Sequence, residues 1–219
     1  MVIANMGGAI EHWLGFQDKI GRSFMINEHA LKYPLADYLV NDGKVLIKSI
    51  DLEKPHPNFS NRLTDVSVLN ANGTLENVFE LKLAKSTTGY QSEKQRIFND
   101  LMRLYLANLV TSGKCYFIIT GKSINFQRDF QNYPNTGASF YKKWFSFVNR
   151  QQTTFDVATE TNTDYQEIYQ NFIDEYSGSY KTIGTSVLEL PKQITTTCEF
   201  ITGFKATLVP YMAAIWSIS

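Results

Sequence analysis

Cysteine, histidine and net charge are what this 219-residue chain has least of. Its two cysteines, Cys115 and Cys198, cannot build the disulfide framework of a small secreted domain, so a reducing, cytoplasmic setting is expected. Cys115 opens an apolar run to Thr120 and reads as a buried thiol. His12, His29 and His56 show no metal-ligand spacing, and His56, between Pro55 and Pro57, reads as structural. Twenty-one basic residues meet 21 acidic ones, which argues against a dedicated nonspecific nucleic-acid binder. Neutrality still admits a nuclease whose basic groove is offset by acidic ligands and acidic surface. The start, Met1 to Gly8, lacks the basic flank and long apolar core of a signal peptide. The run near Ala206 to Ile218 is too short and interrupted to cross a bilayer, so no membrane partner is expected. There is no P-loop, dinucleotide fingerprint, nucleophile elbow or paired-cysteine motif. No repeat or linker forces a boundary, and residues 1–219 read as a single domain.

What is present is a folded composition, 43% hydrophobic and 19% charged, which excludes disorder. Helices are expected over about 10–20 and 27–40, the second with Asn27 as N-cap and Pro34 in its first turns. Val45 to Ile50 reads as a strand, and Asp65 to Leu69 and Thr74 to Leu83 as two more. Ser92 to Val110 carries a helical stripe of Ile97, Leu101, Leu104, Tyr105 and Leu109, with Gly113 suited to cap its end. Cys115 to Thr120 is a short, continuously apolar strand. Strand, helix, strand in this order implies a crossover and a mixed or parallel sheet. Helices are expected at about 137–150 and 162–176, and further strands from about Val187 to Trp216.

Asn72-Gly73 marks a hairpin between the Asp65 and Glu80 segments. With a two-residue loop, paired residue numbers sum to 145 and Asp65 faces Glu80. With a four-residue loop they sum to 143 and Asp65 lies diagonal to Glu80. Side chains alternate along a strand, so either register gathers Asp65, Glu80 and Lys82 on one face. Val66, Val68, Phe79 and Leu81 share the other. Two carboxylates facing each other repel unless a cation lies between them, and a divalent ion with oxygen ligands would serve.

Asp65, then fourteen residues, then Glu80-Leu81-Lys82 resembles the motif of the PD-(D/E)XK nuclease superfamily. The resemblance covers roughly residues 25–122 and leaves 123–219 as unmatched helices and strands. It implies a restriction endonuclease-like α/β/α sandwich with a central mixed β-sheet. It also implies Mg²⁺ or Mn²⁺ held by Asp65 and Glu80, with Lys82 positioning the attacking water. By order along the chain the family's first acidic residue falls on Glu28, and Glu53 is a rival. Gln95 and Arg96, on the following helix, are candidate supporting residues. The motif's leading proline is missing, since Leu63-Thr64 precedes Asp65.

The implied activity is metal-dependent hydrolysis of phosphodiester bonds, of DNA in the first instance, in a restriction or host-defence role. Double-strand cutting would call for a homodimer. The alternative is a catalytically inactive restriction-like fold that binds nucleic acid or protein. A Glu-x-Lys triplet also decorates ordinary sheet faces, and Glu28 would be favourable in a first helical turn without any ligand role. Arg96 and Arg103 could touch phosphate, although a solvated helix face is the commoner setting. Lys142 and Lys143 among Phe140, Tyr141, Trp144 and Phe145 read first as an amphipathic helix, and second as a single-strand-binding surface.

Overall fold

The apolar run after Gly113 forms β4 (Cys115–Lys122), a strand buried at every position except Lys122. Such a strand needs neighbours on both edges and cover on both faces. In this computed structural model, which describes residues 3–84, 90–127, 137–157, 163–181, 188–202 and 210–219, it has both. β3 (Leu75–Ala84) pairs with it in parallel, and β7 (Tyr211–Ile218) pairs antiparallel. The remaining strands are β1 (Ile50–Leu52), β2 (Val66–Leu69), β5 (Gln152–Asp156) and β6 (Gln193–Ile201). The sheet order is β1-β2-β3-β4-β7-β6-β5. The parallel β3–β4 pair requires a crossover, which α3 (Tyr90–Asn108) supplies.

The two-residue period of β3 divides the core. Phe79, Leu81 and Leu83 join a cluster with Met6, Ile10 and Leu14 of α1 (Ile3–Lys19) and Leu35 and Leu39 of α2 (Lys32–Asn41). Val78 and Ala84 join the opposite cluster. It includes Ile97, Phe98 and Leu101 of α3, Trp144 of α5 (Gly137–Trp144) and Phe172 of α6 (Thr163–Tyr176). A short α4 (Ser123–Phe126) follows β4 directly. The chain is thus an α/β protein with a seven-stranded mixed sheet packed by helices on both faces. Among the described residues, no helix is long and apolar enough to cross a membrane.

Most expected elements appear, with shifted ends. Ala30 N–H donates to the Asn27 side chain at 2.9 Å, so Asn27 does cap its turn. Pro34 is the third residue of α2, where its missing N–H costs nothing. In and just after α5, Tyr141, Trp144 and Phe145 are buried while Lys142 and Lys143 face out, the amphipathic arrangement. The Phe140 side chain and the expected strand start near Val187 lie outside the described residues.

Three expectations fail. Val45 to Ile50 is not a strand: Ile47–Ser49 is a 3₁₀ turn, Leu46 and Ile47 are exposed, and pairing begins only at Ile50. The β-forming residues there have no neighbour to pair with, and tertiary context overrides propensity. The helix expected to reach residue 150 ends at Trp144 and is followed by β5. Gly113 is not a left-handed cap; its importance is close approach. A Cβ there would lie 2.3 Å from the Glu76 carbonyl oxygen. Gly113→Ala must push β3 and the loop before β4 apart, and a loss of about 1–3 kcal/mol in urea unfolding is expected.

Candidate active site

The hairpin turn sets the register at the site. Asn70 and Thr74 pair around three loop residues, and Gly73 takes φ 76°. The Asn70 carboxamide oxygen accepts from the N–H groups of Asn72 and Thr74 at 2.9 and 3.1 Å. This is a three-residue loop with glycine in the left-handed position, between the two lengths considered from the sequence. A register shift between Val68 and Leu69 compensates. Val66 therefore pairs with Phe79, as a two-residue loop would give, and Asp65 is next in line, opposite Glu80.

β2 begins at Val66, so β3 continues past its partner and its outer edge is open from Leu81 onward. Two carboxylates close that edge. Asp65 Oδ2 accepts from Leu81 N–H at 2.9 Å. Glu28 Oε2 meets Leu83 N–H at 3.5 Å. Both are residues named from the sequence, brought to one strand edge from separate parts of the chain.

Glu80 and Lys82 point from β3 toward α3, which presents Asp100 and Arg103 one turn apart. Lys82 Nζ lies 3.1 Å from Asp100 Oδ2 and 3.6 Å from Glu28 Oε1. Arg103 Nη2 lies 2.6 Å from Asp100 Oδ1 and 3.5 Å from Glu80 Oε2. Burial pushes the Glu80 carboxyl well up; Arg103 opposes this, while Asp65 and Asp100 add to it. Burial also works to raise Asp100, but Lys82 and Arg103 outweigh it and hold that carboxyl below its usual range. Lys82 is desolvated, yet Asp100 and Glu28 more than offset this and raise its pKa. These contacts favour its ammonium form, a hydrogen-bond donor.

On the solvent side a second group meets Asp65. Lys32 Nζ contacts Asp65 Oδ1 at 3.1 Å, Glu53 Oε1 at 2.8 Å and His29 Nδ1 at 3.3 Å, so its three donors are all engaged. His29 Nε2 reaches the same Glu53 oxygen at 3.0 Å. Glu53 holds φ 58°, an uncommon conformation for a residue with a side chain. The two rival residues thus take different places: Glu28 contacts Lys82, and Glu53 reaches Asp65 through Lys32. Burial raises the pKa of Glu28, Lys82 lowers it, and Asp100 and Asp65 raise it further.

Asp100, Lys32 and the full part played by Arg103 were not foreseen. The only signal was the pairing of Asp100 with Arg103 at one-turn spacing, which solvated helices also show. Gln95 lies elsewhere: its amide donates to Asn99 and to the Ile168 carbonyl of α6, and accepts from Asn171. Arg96 is exposed on α3, outside the bonded network. His56 is structural. Its Nδ1 accepts from Asn58 N–H at 3.1 Å and its Nε2 meets the Arg103 carbonyl at 3.2 Å, which fixes the neutral tautomer.

Among the described residues, no three His, Cys, Asp or Glu side chains form a ready metal cage. The donor set nevertheless suits a hard divalent ion, because Mg²⁺ keeps several waters and needs only one or two carboxylates. Asp65 and Asp100 both act to raise the Glu80 carboxyl, a crowding of like charge that a cation would relieve. The linked network holds five carboxylates (Glu28, Glu53, Asp65, Glu80, Asp100) against three permanent cations (Lys32, Lys82, Arg103). Its carboxylates outnumber its permanent cations by two. Comparison of the chain with protein-family models, curated proteins and solved structures finds no match in any of the three.

Proposed function

We propose that the protein is a metal-dependent nuclease of the PD-(D/E)XK kind on a restriction endonuclease-like fold, hydrolysing phosphodiester bonds of nucleic acid, DNA first. The observation that carries this reading is the Asp65–Glu80 pair, one partner at the open edge of β3 and the other buried, with the Lys82 ammonium two residues along the same strand face. Asp65 and Glu80 would hold Mg²⁺ or Mn²⁺, which when bound polarises the phosphate and lowers the pKa of a water. Lys82, oriented by Asp100, donates to the attacking water or to a phosphate oxygen and offsets charge developing there. Glu28, half-exposed and 3.6 Å from Lys82, would accept a proton from that water. Arg103 balances Glu80 and Asp100 from behind. A restriction or host-defence role, and a homodimer for double-strand cutting, are part of the same proposal.

One observation favours the non-catalytic binding module instead: Lys32, Lys82 and Arg103 are each already paired with carboxylates. The experiment is cleavage of plasmid, single-stranded DNA and RNA with Mg²⁺ or Mn²⁺, beside Mn²⁺ calorimetry. Asp65→Ala and Lys82→Met are each expected to reduce cleavage at least about a hundredfold. Asp65→Ala should also remove the Mn²⁺ heat, while Lys82→Met should keep it. A wild-type protein that neither cleaves nor takes up Mn²⁺ would overturn the nuclease reading.

A further inference from the structure

A concavity of about 290 Å³ lies at the end of the sheet, where β3 and β4 both stop. Its apolar walls are Ile26, Leu83, Ala84 and Tyr211, and its polar positions are Ser23, Lys122 and Asn125. Among the described residues, these three polar side chains make no hydrogen bond or ion pair. An apolar floor with a few polar groups free to turn to a ligand is the general form of a ligand site. The volume stands at the small end of the roughly 300–1,000 Å³ range of such sites, room for about one nucleotide and not for a base pair.

The concavity adjoins the carboxylate cluster. Leu83 is in its wall, and the Leu83 N–H meets Glu28, which in turn contacts Lys82. Ala84 lies two residues past Lys82 on the same strand face, about 7 Å at the usual rise. Leu83 and Tyr211 belong to the α1–α2 face of the sheet, whereas Glu80 and Lys82 point toward α3. A ligand spanning both would pass over the open edge of β3, where Glu28 and Asp65 stand. Beside Ser23, the Phe24 ring is 80% exposed.

We propose that this concavity receives one unpaired nucleotide of the strand whose neighbouring phosphate lies at Asp65 and Glu80. The proposal rests on the nuclease reading of that site and adds its substrate class, nucleic acid presented as an unpaired strand. The flat apolar faces of a base suit Leu83, Ile26 and the Tyr211 ring. Its edge suits the Asn125 carboxamide, which both donates and accepts. Lys122 supplies a cation for phosphate, and Phe24 an exposed ring for the next base. A base engaged in pairing has its edge occupied and its faces stacked, so only an unpaired one offers both.

The test is fluorescence anisotropy of a short labelled DNA oligonucleotide, single-stranded or in duplex, with EDTA present so that binding is read without metal. The single strand is expected to bind at least about tenfold more tightly than the duplex. Lys122→Ala should weaken binding about three- to tenfold and reduce the salt slope by about one; Asn125→Ala should weaken it about fivefold, leave the salt slope unchanged and alter base preference. Thermal melting of both variants checks that the fold is kept. Equal affinity for single strand and duplex, or wild-type binding by both variants, overturns the proposal. Mn²⁺ titration of the same proteins in EDTA-free buffer separates the two readings. Oligonucleotide binding at this subsite without Mn²⁺ binding removes the metal site and keeps the subsite; Mn²⁺ binding with unaffected variants removes the subsite alone.

Discussion

Arg103→Ala is expected to lower the unfolding free energy by about 3–5 kcal/mol, the usual result of deleting one member of a buried ion network. The guanidinium is the counter-charge of buried Glu80 at 3.5 Å and shares buried Asp100, at 2.6 Å, with Lys82. It also donates through Nη1 to the Leu63 carbonyl at 3.2 Å, joining α3 to the segment that leads into β2. Without it, Asp100 keeps Lys82, but Glu80 keeps only a carboxylate neighbour, Asp65. A domain of this size has roughly 5–15 kcal/mol in total, so the variant would sit near its unfolding threshold. Lysine is a poor replacement because it cannot present the planar fork that meets two acids and a carbonyl together. Urea unfolding measures the loss. Adding Glu80→Gln to Arg103→Ala should recover part of it, since a neutral amide needs no counter-charge. A single-variant loss below about 1 kcal/mol would mean that the guanidinium is not the main counter-charge.

Acid should destabilise the protein well above the range in which carboxylates titrate. Burial pushes the His56 imidazole down to about 3, with Arg103 and Lys181 adding to the shift and the bond to the Arg103 carbonyl opposing it. The unfolded chain takes up this proton near pH 6.5, and the folded one only near 3. Between those values the unfolded state binds more protons, so stability falls as pH falls. The slope is about 1.4 kcal/mol per pH unit, or about 4–5 kcal/mol across the window. Glu80 works in the opposite sense. Its raised pKa means that stability is fully present in acid and is lost as pH rises through the folded value. Asp100, held low, contributes stability that disappears only below the ordinary aspartate range. Melting temperatures of wild type and His56→Asn, compared at intervals from pH 7 to pH 4, isolate the histidine. Asn can still accept from Asn58 N–H, so the variant should be less stable at pH 7 but flatter below it. An unchanged slope would assign the acid loss to other groups.

The hairpin was legible because strand periodicity is strict. Once Asn72-Gly73 locates the turn, any even change of register leaves Asp65, Glu80 and Lys82 together. The true loop length matched neither alternative, yet the bulge between Val68 and Leu69 restored the pairing. The α3 contribution was less visible. A polar residue on a helix reads as solvated, and only packing α3 against β3 shows Asp100 and Arg103 turned inward. Lys32 was hidden for the same reason, and its partners Glu53 and Asp65 are remote in sequence. β5 was missed because its Gln-Thr-Thr start is polar: it is an edge strand and most of its residues do contact water. Val45 to Ile50 erred the other way, an apolar run with no strand to receive it.

The open edge of β3 bears on how any loss-of-function variant behaves. Strand edges with free amide groups recruit other chains, and folded proteins defend them with charge or cover. Here the cover for Leu81 and Leu83 is the carboxylates of Asp65 and Glu28. The residues proposed for chemistry therefore also occupy the amides through which another strand would pair. Asp65→Ala together with Glu28→Ala would uncover both amides at once, and self-association by edge pairing becomes open to the doubly substituted chain.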